Sequence, residues 1–124
     1  MKTSAKPKRT IQVGGMIQKE VSDILLRKIK DPRLELVTLT GVDLSPDLKV
    51  ARIFFNRYGG PEEIKRSLEA LQRACGFIRR ELGLRLKLRY IPELIFTHDT
   101  SFEYGDRIDS LLKTLFPAQE PVDE

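Results

Sequence analysis

At 124 residues, with 40% hydrophobic and 32% charged side chains, the chain has the size and composition of one folded domain, which excludes a wholly disordered or fibrous protein. Its single cysteine, Cys75, excludes an internal disulfide or a multi-cysteine metal site, and no run approaches the roughly 18 apolar residues of a membrane helix. A net charge of +4 favours a polyanionic partner, but total charge does not separate that reading from a merely basic soluble protein.

The N-terminal MKTSAKPKRT is cationic and leads into IQVGG, not into the long apolar region of a secretory signal. Residues 1–9 are therefore expected to form a flexible basic arm on a cytoplasmic protein. Ile17, Val21, Ile24 and Leu25 then recur at helical spacing, with Lys19, Arg27 and Lys30 off the stripe. Asp31-Pro32 should end this helix, because proline disfavours helical backbone in the residue before it. Gly14-Gly15 leaves its start open, either near Thr10 or after the glycines.

LELVTLTGVDL and KVARIFFN follow, rich in β-branched and aromatic residues and joined by Ser45-Pro46-Asp47-Leu48, a tight-turn composition. They predict a β-hairpin. After Gly59-Gly60, Pro61 suits a first helical turn, and Glu62 and Glu63 face the positive end of the helix dipole. The stripe Ile64, Leu68, Leu71, Cys75, Ile78, Leu82 alternates steps of four and three, holding one narrow face, with Arg66, Arg73 and Arg80 nearly opposite.

That stripe passes through Gly76, although a helical glycine costs about 1 kcal/mol relative to alanine. A bend, or close approach by another backbone, could offset the cost. KLRYIPELIF reads as a third strand, with Pro92 arguing for an edge position or a bulge. Thr100-Ser101-Phe102-Glu103 offers a capping box for a last helix through Ile108, Leu111, Leu112 and Leu115. Residues 117–124 read as a disordered tail. The expectation for 10–116 is a single α+β domain, with helices packed on a three-stranded sheet.

In order, these elements resemble the bacterial, type II K-homology domain, α-β-β-α-kink-α-β with an added C-terminal helix. Such domains hold nucleic acid at a GXXG loop between paired helices. Here Ala74-Cys75-Gly76 stands in its place and resembles the Ala-x-Gly kink of the ribosome-binding factor A family. The likeness covers nearly the whole chain: IQKEVSDILLRKIKDPRL resembles that family's first helix and exit, VTLTGVDLSPDLKVARIFF its hairpin, and RYIPELIFTHDTSFEYGDRIDSLL its last strand and C-terminal helix. The chain departs from the family's pattern at Gly14-Gly15. The resemblance implies a cytoplasmic protein that binds the immature small (30S) ribosomal subunit and its 16S rRNA. It also implies a part in late rRNA maturation, including 5′-end processing, with particular weight in the cold.

The candidate RNA contacts begin with Arg73, Gly76, Arg79 and Arg80 around the expected kink, since guanidinium groups donate paired hydrogen bonds to phosphate. Arg85, Lys87 and Arg89 form a second set, expected to share a face by alternating along the approach to the third strand. Lys8, Arg9, Lys19, Arg27 and Lys28 would add longer-range contacts. Phe54, Phe55, Phe77 and Phe96 sit in apolar patterns and are expected in the core, leaving Tyr58, Tyr90 and Tyr104 as candidate stacking residues. Recognition should then rest on backbone and shape.

His98-Asp99 is the one pair suggestive of acid–base chemistry, and a loop-stabilising role suits it better because no nucleophile or third ligand accompanies it. Cys75, on the apolar stripe, reads as a small buried hydrophobe. No cofactor, metal or small-molecule substrate is expected, and a monomer is. Two alternatives stand beside the assembly-factor reading: a general single-stranded RNA-binding module, and an RNA-processing enzyme centred on His98 and Asp99.

Overall fold

The computed structural model describes residues 7–101. The expected C-terminal helix beyond Ser101, the tail and residues 1–6 of the arm lie outside that range. Helix α1 spans Lys8–Arg27, followed by a 3₁₀ turn at Pro32–Leu34, strands β1 (Val37–Leu44) and β2 (Val50–Arg57), helix α2 (Pro61–Leu86) and strand β3 (Glu93–His98).

The α1 stripe is core: Ile17, Val21 and Ile24 are fully buried, with Leu25 beside them. The helix runs straight through both glycines and starts at Lys8, inside the expected basic arm. Gly14 explains part of this. A Cβ there would stand 3.6 Å from the Val42 carbonyl and 4.0 Å from Leu44 Cβ, so the helix lies close against β1. The helix also stops at Arg27, four residues before Asp31. Asp31 instead caps the 3₁₀ turn, accepting from Arg33 N at 2.9 Å, Nε at 3.1 Å and Nη2 at 2.7 Å. These bonds, the guanidinium first, hold the Asp31 carboxyl below its ordinary range.

The hairpin forms as expected. Leu48 N donates to Ser45 O at 2.8 Å across the turn, Ser45 Oγ donates to Asp47 Oδ1, and Leu48 takes a left-handed φ of 64°. The sheet has the order β1-β2-β3, with β1 and β2 antiparallel and β2 and β3 parallel. The parallel pair requires a crossover, which α2 supplies. Pro92 precedes β3, which is an edge strand, and the bulge lies elsewhere, between Leu39 and Gly41 of β1.

One face of the sheet, carrying Ala51, Ile53, Phe55, Leu94 and Phe96, packs under the two helices with Leu71, Ile78 and Leu82 of α2. Each such Leu, Ile or Phe contributes about 1.5–3 kcal/mol by leaving water, which is what holds the helical layer down. Three expectations need correction. The two helices predicted on either side of Gly76 are one continuous α-helix of 26 residues, because a hydrogen-bonded helix backbone tolerates isolated glycines. The third strand begins only at Glu93, so Lys87–Tyr90 is loop. Phe77 is not core, being 39% exposed, and Phe54 is half-buried outside the core cluster.

Candidate nucleic-acid interface

Helix α2 is anchored at both ends, which fixes where its outer face points. At its start Pro61 occupies the first turn, and Glu63 Oε1 accepts from Gly60 N at 2.9 Å. Along its length Ser67 Oγ donates to the Arg33 carbonyl at 2.6 Å, tying the helix to the 3₁₀ turn. At its end the chain reverses through Lys87, in the left-handed region at φ 50°.

The returning loop is tied down by Arg79, whose Nε donates to Pro92 O at 3.0 Å and whose Nη2 donates to Ile91 O at 2.9 Å. Ile91 packs over Gly83, where any Cβ would collide with its side chain. Sequence reasoning passed over Gly83; the only signal was an otherwise unexplained second helical glycine, seven residues after Gly76. Gly76 behaves differently. Among the described residues nothing lies within 4 Å of where its Cβ would be.

The predicted contacts Arg73, Arg79, Arg80 and Arg85 therefore separate into two groups, and Arg66, which the sequence did not suggest as a contact, joins the first. Arg66, Arg73 and Arg80 are exposed, and none makes a hydrogen bond or an ion pair within 4 Å to another described residue. Spaced by seven, they form a row beside Gly76 on one side of α2. Arg79 belongs instead to the loop anchor. Arg85 is also engaged: its Nη1 donates to Asp23 Oδ2 at 2.7 Å and Glu20 Oε1 at 3.1 Å, clamping α2 to α1. These bonds, with a further contribution from Arg27, lower the Asp23 carboxyl.

The strand-like alternation of Arg85, Lys87 and Arg89 does not form, because Arg85 is helical, Lys87 caps the helix and Arg89 lies in the loop. Arg89 stands over the Tyr90 ring at 5.6 Å. On α1, Arg27 pairs with Asp23 at 2.7 Å, while Lys19 and Lys28 are exposed. Lys8 and Arg9 occupy the first turn of α1, which has no acidic residue and no side-chain cap. Cations at that end oppose the helix dipole by a few tenths of a kcal/mol, an arrangement that an incoming phosphate would relieve.

The remaining candidates carry structure. Asp99 Oδ2 accepts from Thr40 Oγ1 at 2.7 Å, and Oδ1 accepts from Ser101 Oγ at 2.6 Å and Ser101 N at 3.0 Å. The Ser101 hydroxyl, then Thr40, keeps the carboxyl below its ordinary value. The His98 ring packs 5.7 Å from Phe55. Cys75 is half-buried, its Sγ donates weakly to the Leu94 carbonyl at 3.8 Å, and burial raises its thiol pKa. Among the described residues no group of three potential metal ligands converges. A cleft of about 630 Å³ beside the end of α1 is lined chiefly by Leu25, Leu26, Ile29, Pro32, Leu34 and Val37, and by none of the arginine row. Tyr104 lies outside the described residues.

Two helices on one face of a three-stranded mixed sheet, with a row of exposed arginines along α2, define a small α+β domain of the K-homology type. The chain matches the family Ribosome-binding factor A over residues 9–112, and it belongs to that family. It is 51% identical over 113 residues to ribosome-binding factor A of Syntrophus aciditrophicus (strain SB), covering 91% of this chain and 92% of that one. The crystal structure of ribosome-binding factor A from Thermus thermophilus superposes with a TM-score of 0.64 at 26% identity, over 72% of this chain and 94% of that chain. A homology model of the T. thermophilus factor, fitted into the cryo-EM map of a 30S complex, gives a TM-score of 0.62 at 25% identity over 73% and 96%.

Proposed function

We propose that this protein is a cytoplasmic assembly factor that binds the immature 30S subunit as a monomer. It assists late maturation of 16S rRNA, including 5′-end processing, and its contribution grows in the cold. The observation that carries this reading is the row Arg66, Arg73 and Arg80 beside the open backbone of Gly76, on a chain of the ribosome-binding factor A family. Exposed guanidinium groups without a hydrogen bond to another described residue are available to phosphate, and a glycine without a side chain lets a sugar-phosphate backbone approach the helix.

The protein acts by binding, not by cutting. Asp99 is engaged by Thr40 and Ser101, and His98 rests on Phe55, so the pair serves the β3 exit and not a substrate. A domain that binds one rRNA conformer better than another shifts the equilibrium by that difference, and separate nucleases then act on the favoured form.

Co-sedimentation with isolated small subunits, complete ribosomes and free 16S rRNA at two salt concentrations tests this. Selective retention on small subunits is expected, with a log–log salt slope near −4 if about five phosphates are neutralised. Equal, salt-labile binding to all three would reduce the protein to a general single-stranded RNA-binding module. Cleavage of precursor 16S rRNA by the purified chain, lost in His98→Ala, would overturn the non-enzymatic reading.

A further inference from the structure

Positions seven apart on α2 share a face, and the row Ala70, Phe77, Leu84 is progressively uncovered along it, while Ile78 and Leu82 stay fully buried. The exposures along the row are 2%, 39% and 67%. Ala70 is sealed, while Phe77, two turns later, leaves more than a third of its surface open. The arginine row runs alongside: Arg73 precedes Phe77 by four residues and Arg80 follows it by three. At about 100° per residue both lie within roughly 60° of its direction, and Gly76 lies about 100° away on the same side. The phenyl ring, two exposed guanidinium groups with no hydrogen bond to another described residue, and the open backbone of Gly76 thus share one surface.

We propose that Phe77 is a stacking platform for one unpaired RNA base, with Arg73 and Arg80 holding the flanking phosphates. This rests on the RNA-binding reading above and adds what that reading lacks, a contact to a base. Aromatic rings stack on any base, because every base has a π face, and guanidinium groups beside the ring neutralise the adjoining backbone. Among the described residues no other ring or cation lies against Phe77, whereas Arg89 already covers the face of Tyr90. The charge of the surface selects the occupant, since a polyanion with a planar apolar group complements a phenyl ring set among arginines. An apolar protein patch would satisfy only the ring.

The chain contains no tryptophan, so Phe77→Trp installs a single reporter at this position. Titrating that variant with poly(A) and with naked 16S rRNA, neither of which fluoresces in its window, should quench the indole as a base stacks on it. In parallel, Phe77→Leu should weaken retention on small subunits about tenfold without changing the salt slope, because no phosphate contact is lost. Phe77→Tyr should restore retention, and Arg73→Ala should instead reduce the slope by about one. Unchanged thermal melting of the variants would show that the fold is intact.

Full retention of Phe77→Leu, with retention of Arg80→Glu abolished, would overturn the stacking proposal and leave the RNA-binding face standing. Lost retention in Phe77→Leu without indole quenching by either RNA would mean that the ring meets a ribosomal protein, and the proposal fails. If the parent chain does not sediment with subunits and its Phe77→Trp form is not quenched, the underlying reading and the stacking contact fail together.

Discussion

Gly76 and Gly83 stand seven residues apart on the same helix and weaken it equally in principle, yet their surroundings are opposite. At Gly83 the missing side chain is filled by Ile91 of the returning loop, and at Gly76 it is filled by nothing. The latter-numbered glycine is a packing requirement of the fold. Among the described residues Gly76 has no packing neighbour that would require a glycine there. The neighbouring arginines divide in the same way: Arg79 and Arg85 are engaged in holding the loop and α1, while Arg73 and Arg80 are not.

The sharpest way to break this comparison is charge reversal. Arg73→Glu with Arg80→Glu should lower small-subunit affinity by ten- to a hundredfold, about 1.4–2.7 kcal/mol, while leaving the melting temperature nearly unchanged. Co-sedimentation beside a thermal melt reads both, and undiminished binding would remove the arginine row from the interface. Arg79→Met should do the reverse. It strips the Ile91 and Pro92 carbonyls of their donors, which should cost about 1–3 kcal/mol in urea unfolding.

Gly83→Ala forces Ile91 aside, and the gain of about 1 kcal/mol in helix propensity offsets only part of the overpacking, so a net loss of up to about 2 kcal/mol is expected. Gly76→Ala should move stability the other way, by up to about 1 kcal/mol, because the added methyl enters open space. One pair of unfolding curves therefore separates the two glycines by sign, and weaker subunit binding by Gly76→Ala would tie the bare one to the interface.

The smallest effect concerns acid. The folded Asp99 carboxyl lies below its ordinary 3.8, so its stabilising share is complete above that value and is lost as pH falls through the depressed one. Asp99→Asn should flatten this part of the acid limb in pH-dependent melts, because the amide has no such proton to take up. Unaltered acid sensitivity would show that other carboxylates, Asp31 and Asp23 among them, set the limb.

Much of the fold was legible because its signals are local. Ser45-Pro46-Asp47-Leu48 carries its own hydrogen-bonding groups, Pro61 with Glu62 and Glu63 carries its own helix start, and both stripes carry their own period. The same holds for the motifs behind the family resemblance. Asp31, Pro32 and Arg33 form a self-contained cap, and Pro92, Leu94 and Phe96 enter the core together.

The site was legible only in outline. A cluster of arginines near Gly76 is a pattern of residue types, and residue type does not say which guanidinium is engaged. Arg79 and Arg80 are adjacent and chemically identical. One of them points at carbonyls brought in by residues 91 and 92, which lie more than ten positions later in the chain. Phe77 was misread for a related reason. Its neighbours are apolar in sequence, but the covering of its own face ends between Ala70 and Leu84, while the adjoining face with Ile78 and Leu82 stays buried.

By itself, then, the sequence determined the order of the elements, the turn chemistry, the apolar faces and the positive charge of the outer helix, all properties of residues within a few positions of one another. Only the tertiary structure decided that α2 runs unbroken, that Gly83 is packed and Gly76 open among the described residues, and which arginines are hydrogen-bonded within the fold. Those outcomes depend on contacts between distant segments, where packing and hydrogen-bond satisfaction choose among side chains that local rules treat alike.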